Sequence, residues 1–454
     1  MHTLRFVMMA SVTCCLIAWS FESGAGEAGA PSASASIQAE LDNHPGEVVQ
    51  IGPGDHVIDA PIRIHSNGSG LSGYGRIVQS NPAAPVVVIE GVSGVRLTNV
   101  TLTRAQGHEE TTEPAVRAMK CEGLDISGVH IVDNRTLSGA IALEQCMAAR
   151  VRGCEIINYQ RIGVDDRTEN DLYGYAFKVI DGTGITVRQS GDVQIDGNLI
   201  DERRIFPTKD VKDANHLGEL TDGKKPTKKG RLAPKDNYAN NWHQGSAILV
   251  TSPEETDHVL ITGNLIRNAA QGIDIHADHV TCSHNSIDHA FIGIKCMHGA
   301  RNVIISENNV SHMDLWGLVM LPGTASHPAE AAMDGKPGRV ANDTRGNVIA
   351  NNVFSDFGFG YEYFNWQSSK GGVISLESGQ LAENPIMTDV IIQGNVVYDS
   401  GKDQVIVDGK PQTVPPRYEY AVFITPEPRP QGLWFGNNIF QPGRGGVSNI
   451  PLTP

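Results

Sequence analysis

Between His258 and Gly323 the apolar positions recur in three matched blocks, HVLITGNLIRNAAQGIDIHAD, HVTCSHNSIDHAFIGIKCMHGA and RNVIISENNVSHMDLWGLVMLPG. Aligning Asn264, Asn285 and Asn308 gives spacings of 21 and 23 residues, and aligning Gly272, Gly293 and Gly317 gives 21 and 24. Each block has a short alternating strand before the Asn and another after the Gly. That is the pattern of a parallel β-helix, in which one coil buries its apolar face only against its neighbours. The Asn is expected at a bend, bonded to the Asn of the next coil, and the Gly at a backbone position of positive φ.

The same alternation appears earlier in VVVIEGVSGVRLTNVTLT, CEGLDISGVHIVDN, GAIALEQCMAARVRGCEIIN and GITVRQSGDVQIDGNLI. It returns later in NVIANNVFSDFG, GGVISLESG and DVIIQGNVVYDSG, and LWFGNNIF closes it. A solenoid absorbs this length along one axis, so the chain is expected to be all-β and a single domain over 31–454. Ser36 to Leu41 reads as a short amphipathic helix covering the first coil. The segment GEVVQIGPGDHVIDAPIRIHSNGSGLSGYG that follows resembles the N-terminal cap of the pectate-lyase-like superfamily, with its I-G-P-G-D-H-V-I phrase. That resemblance implies a right-handed coil.

Two stretches break the period. The first, about 203–242, carries ten Lys or Arg against four Asp or Glu between Arg203 and Lys235. It reads as a solvated insertion or as a basic wall over a groove for an anionic chain. The second, about 324–345, is expected to pack near the same end of the groove. The aromatics of FGFGYEYFNW could stack on sugar rings or cover the end of the solenoid.

Residues 1–30 have Arg5, an apolar run from Phe6 to Trp19 and an Ala28-Gly29-Ala30 ending. This reads as a signal peptide, with a secreted or periplasmic product and no membrane span. The chain has 36 basic and 51 acidic residues, a net −15, which weighs against a nucleic-acid partner. Beyond the leader remain Cys121, Cys146, Cys154, Cys282 and Cys296, an odd set without disulfide spacing. Cys282 and Cys296 fall on inward positions, as core residues.

Alternation also sorts the chemistry. After Gly272, Ile273 and Ile275 face in, leaving Asp274 and His276 outside; after Gly293, Ile294 and Cys296 face in, leaving Lys295 and Met297 outside. Asp274 and Lys295 should then be neighbours on adjacent coils, with Asp278, His279, His298 and Arg301 in the turns beyond. His276, His279, His284, His289, His298 and His312 are six of 16 histidines, all within 37 residues. Ladder pairing of opposite charges accounts for part of this pattern, but not for the density of histidines.

Such a cluster suits removal of the C5 proton of a uronic acid, which needs a base and a cation on the carboxylate. Lys295 serves as base, or as the cation if His276 is the base; Asp274 orients them, and His298 and Arg301 bind the carboxylate. The expected enzyme is a polysaccharide lyase on an anionic glycan. Epimerase, hydrolase and non-catalytic carbohydrate-binding readings stay open.

Gly272-Ile273-Asp274-Ile275-His276 resembles the G-F-D-P-H phrase of mannuronan C5-epimerases, themselves right-handed β-helices. The resemblance implies that Asp274 and His276 match active-site residues, while Gln271 stands where that family has its proton-handling Tyr and Ile275 where it has Pro. Of the polygalacturonase-like phrases only Asp165-Asp166 occurs. A hydrolase needs two carboxylates, which Asp274 with Asp278 or Asp314 could supply. No cofactor is called for; calcium is possible, with Asp165, Asp166, Glu169 and Asp171 the nearest cluster, but no ligand loop of defined spacing appears.

Overall fold

A computed structural model describes residues 33–170, 174–205, 214, 220–222, 237–239, 245–297, 299–321, 327–333, 335, 337–357, 371–377, 385–399, 404–407, 409–413, 416 and 418–452. The leader reading lies outside these residues, as do His298, Asp171, most of 203–242 and nine of the ten residues of FGFGYEYFNW.

The chain folds as a right-handed parallel β-helix. One sheet has twelve strands and another twenty-one, the strands within each lying parallel to one another. The larger sheet makes two faces of the coil, because Leu265–Ile275, Ser286–Met297 and Asn309–Leu321 each run through the corner between them. Parallel crossovers of L-residues take the right hand almost without exception.

Register explains why the period is so strict. Ile185, Ile248, Ile273, Ile294 and Leu318 are successive partners across five coils, and all are fully buried. Each contributes about 1.5–3 kcal/mol when stacked. A one-residue slip would turn the whole column outward.

The Asn column behaves as the spacing predicts. The Asn264 amide donates to Oδ1 of Asn285 at 2.9 Å, Asn285 to Asn308 at 3.0 Å, and Asn308 to Asn352 at 2.9 Å. Asn198 extends the column below, and Asn395 and Asn438 extend it above.

The glycine expectation fails. Gly272, Gly293 and Gly317 do not lie at positive φ, and the left-handed positions not held by other glycines are held mostly by Asn, Asp and His. These glycines are required by close approach instead. A Cβ on Gly272 would sit 2.4 Å from the carbonyl of Gly293, one on Gly293 2.5 Å from that of Gly317, and one on Gly317 2.8 Å from Phe354.

The first coil is closed as expected, by a helix running Ala33–Asn43 with Ile37 and Leu41 buried. Gln38 hydrogen-bonds both backbone groups of Arg63, at 2.8 and 3.0 Å, on the outermost strand Ile62–Ile64. This satisfies an edge that would otherwise recruit another strand. Among the described residues, no helix is long and apolar enough to cross a membrane.

In the second interruption, antiparallel bridges join His327 to Asn342 and Glu330 to Arg339. His327 and Arg339 both reach Glu254, on the loop after Ser246–Thr251, at 3.4 and 3.2 Å. An antiparallel hairpin, Arg161–Asn170 with Gly174–Asp181, also leaves the coil; the alternation did not predict it. The nearest acidic cluster to a calcium site falls there, and its side chains lie outside the described residues.

Candidate active site

The outer face of the strands that follow the corner is where charge collects. Leu249, Asp274, Lys295, Val319 and Ser375 are partners on successive coils, and all point away from the core by alternation. Two residues further along come Thr251, His276, Met297, Leu321 and Glu377.

Asp274 joins the two basic side chains of this face. Its Oδ2 lies 2.9 Å from Nζ of Lys295 and its Oδ1 2.6 Å from Nε2 of His276. Nδ1 of His276 lies 3.5 Å from the Thr251 hydroxyl. The side chain of Asp274 is 6% exposed, that of His276 13% and that of Lys295 16%. Burial disfavours the Asp274 carboxylate, but the charges of His276 and Lys295 and their hydrogen bonds outweigh it and hold the carboxyl well below its ordinary range.

Above the cluster the face turns apolar. Phe291, Ile292, Leu315, Val319 and Leu321, with Ile180 and Ile205, form a buried group separate from the core of the coil. Such a wall lowers the local dielectric around Asp274 and strengthens its pairings. Below, Arg188 partners Thr251 and is exposed. Sequence reasoning missed Arg188 because the long insertion separates its coil from the next, Ser246–Thr251.

The remaining candidates are placed as follows. Arg301 donates to Oδ2 of Asp278 from Nε at 3.1 Å and from Nη2 at 2.6 Å, and its backbone N–H bonds Oδ1 at 3.1 Å. These bonds raise the guanidinium above its ordinary value and commit it to a turn. Asp278 is correspondingly engaged, and Asp314 is buried in the extra length that interrupts the register after Ala290.

The density of histidines has a backbone cause. His279, His284, His289 and His312 all have φ between 52° and 58° and occupy corners of the coil. His is among the few non-glycine types that tolerate this region. Only His276, among the described five, lies on the charged face.

The five cysteines among the described residues are buried and free of disulfides, and burial pushes the Cys282 thiol up to about 12. Burial also raises the Glu377 carboxyl, against a hydrogen bond from Ser375 at 2.9 Å.

No family model matches the sequence, and no curated protein does. Solved structures do. DFA-IIIase from Arthrobacter chlorophenolicus A6 aligns at TM-score 0.54 and 12% identity, over 94% of this chain and 97% of its own. The Dettilon tailspike protein aligns at 0.55 and 14%, over 91% of this chain and 64% of its own. The A-module of an Azotobacter vinelandii mannuronan C-5 epimerase aligns at 0.48 and 10%, over 92% and 96%. At such identities, the first two show a likeness of fold alone and leave the reaction open.

Proposed function

We propose that this face processes a polysaccharide, as a lyase that removes the C5 proton of a uronic acid and eliminates the glycosidic bond at C4. The observation that carries the reading is the single carboxylate of Asp274 holding Lys295 and His276 together on the outer surface of adjacent coils. The 2.6 Å approach of His276 to Asp274 positions the imidazole, and the ring in its neutral form would act as base at Nδ1, as a buried carboxylate orients a histidine base elsewhere.

His276 Nδ1 takes the C5 proton, and Lys295 neutralises the sugar carboxylate that receives the electron pair. The pair then forms the C4–C5 double bond as the C4–oxygen bond breaks, and the leaving oxygen takes a proton from water. Arg188 stands two coils from the His276 position, about 10 Å. It is placed to meet the carboxylate of a neighbouring sugar in the same chain.

Elimination is favoured over epimerisation because the latter needs a second proton-handling group, and position 271 offers a buried Gln. Hydrolysis would need two carboxyl groups about 5–9.5 Å apart. Glu377 lies three coils from Asp274, about 14 Å along the axis. The export expected for residues 1–30 would bring the enzyme to such polymers outside the cytoplasm.

The test is a panel of uronic-acid polymers mixed with the purified protein, read by the ultraviolet absorbance of the new conjugated double bond. Absorbance should rise on one of them. A flat trace on all, with new reducing ends released instead, would replace this reading with hydrolysis. No change of any kind would replace it with carbohydrate binding.

A further inference from the structure

The corner that precedes the charged face carries a second cluster, which the reaction above does not use. Arg267, Asp288, Ser311 and Ser355 are partners on successive coils, so the residues after them, Asn268, His289, His312 and Asp356, stack at one corner. All four have φ near 57–59°. The corner itself does not demand imidazole, since Asn268 fills it on one coil and Asp356 on another.

What the two imidazoles add is convergence. Asp288 Oδ2 lies 3.0 Å from Nδ1 of His289, and Oδ1 lies 2.7 Å from Nδ1 of His312 on the next coil. The rings stack with centroids 4.6 Å apart and planes 8° from parallel. Nε2 of His312, pointing the other way, is 3.9 Å from Asp356 Oδ2.

We propose that Asp288, His289 and His312 form a binding site for a divalent transition metal of the zinc class. Two imidazole nitrogens and one carboxylate are the donor set such ions select, whereas calcium and magnesium prefer oxygen throughout. One ligand atom from each of the three residues lies within 4.8 Å of the others. An ion bound at about 2.0–2.1 Å in a tetrahedron sets its ligands roughly 3.3 Å apart.

Asp356 is placed behind His312 as the outer carboxylate that metal-bound histidines commonly have. The side chains are 26–36% exposed, which leaves an entry path and room for water to complete the coordination.

An internal comparison sharpens the claim. His258 and His279 stack at another corner, with centroids 5.0 Å apart, but the carboxylate of Asp257 reaches only His258, at 3.2 Å. Stacking alone therefore recurs in the coil without a shared carboxylate.

The experiment is calorimetric titration of zinc chloride into the full chain stripped with chelator, with calcium chloride in a parallel cell. Wild type should bind one zinc ion at this corner, and calcium should not compete. His289→Asn and His312→Asn keep a residue that tolerates the left-handed corner, and each should weaken binding at least tenfold. His279→Asn should leave zinc binding unchanged. The proposal is overturned if wild type takes up no zinc, if both corner variants bind as wild type, or if calcium occupies the site instead.

Discussion

Replacing Asp274 by Asn tests the electrostatics of the charged face without altering its shape. The carboxylate is 6% exposed and lies within 2.9 Å of the Lys295 ammonium and the His276 ring, so the substitution leaves the Lys295 charge without its counter-charge. Removing one partner of a buried pair costs about 3–5 kcal/mol.

The sign follows from the direction of the shift. Because the folded Asp274 carboxyl titrates below its ordinary value of 3.8, its contribution is complete above that value and is lost as pH falls toward the folded one. For a body of roughly 420 residues, 3 kcal/mol corresponds to a fall in melting temperature of about 3–4 °C. Calorimetry should show that fall at pH 7 for Asp274→Asn, with the two proteins converging as pH drops below 4. A variant that melts with wild type at both values would refute the pairing.

Other expected outcomes concern the frame and the turns. Asn285→Ala removes four hydrogen bonds to nitrogen and oxygen partners, two with Asn264 and one each with Ile261 and Asn308, and a weaker one to Cys282 Sγ. At about 1 kcal/mol each it should destabilise by roughly 3–4 kcal/mol in denaturant melts. Gly293→Ala places a Cβ 2.5 Å from Gly317 O and should cost about 1–3 kcal/mol. Gly197→Ala, in open space at φ +64°, should cost about 1 kcal/mol from backbone strain alone, as compared by thermal melts. Arg301→Lys loses the forked contact with Asp278 and should lower stability by about 1 kcal/mol. Glycan turnover by that variant should stay within twofold if the arginine serves the turn.

The coil was legible because its rule is local. A two-residue alternation and a bend residue every 21 to 23 positions fix which side chains face in, and the same rule put Asp274 beside Lys295. It could not show that His276 bends back onto the same carboxylate, since that depends on the chain after Ile275 staying close to the strand.

Two other features escaped for a common reason. Gly272 and Gly293 looked like positive-φ positions, yet what excludes a side chain there is the carbonyl of the next coil, a contact between residues more than twenty apart. His289 and His312 looked like part of one dense group. Their 23-residue separation, the same as that of Asn285 and Asn308, was the available sign that they share a corner with Asp288. The hairpin Arg161–Asn170 with Gly174–Asp181 replaces a turn, and turn length carries no periodic signature.

The central claim is that Asp274, Lys295 and His276 carry out proton removal on a uronic-acid glycan. The most direct measurement is the initial rate of double-bond formation by Lys295→Met and His276→Asn beside wild type, with His312→Asn as a control outside the charged face. Loss of a positioned base or of the charge-neutralising cation should lower kcat by about 10²–10⁴. His312→Asn should stay within twofold of wild type. Wild-type rates in both Lys295→Met and His276→Asn would contradict the account and move the chemistry to another part of the coil.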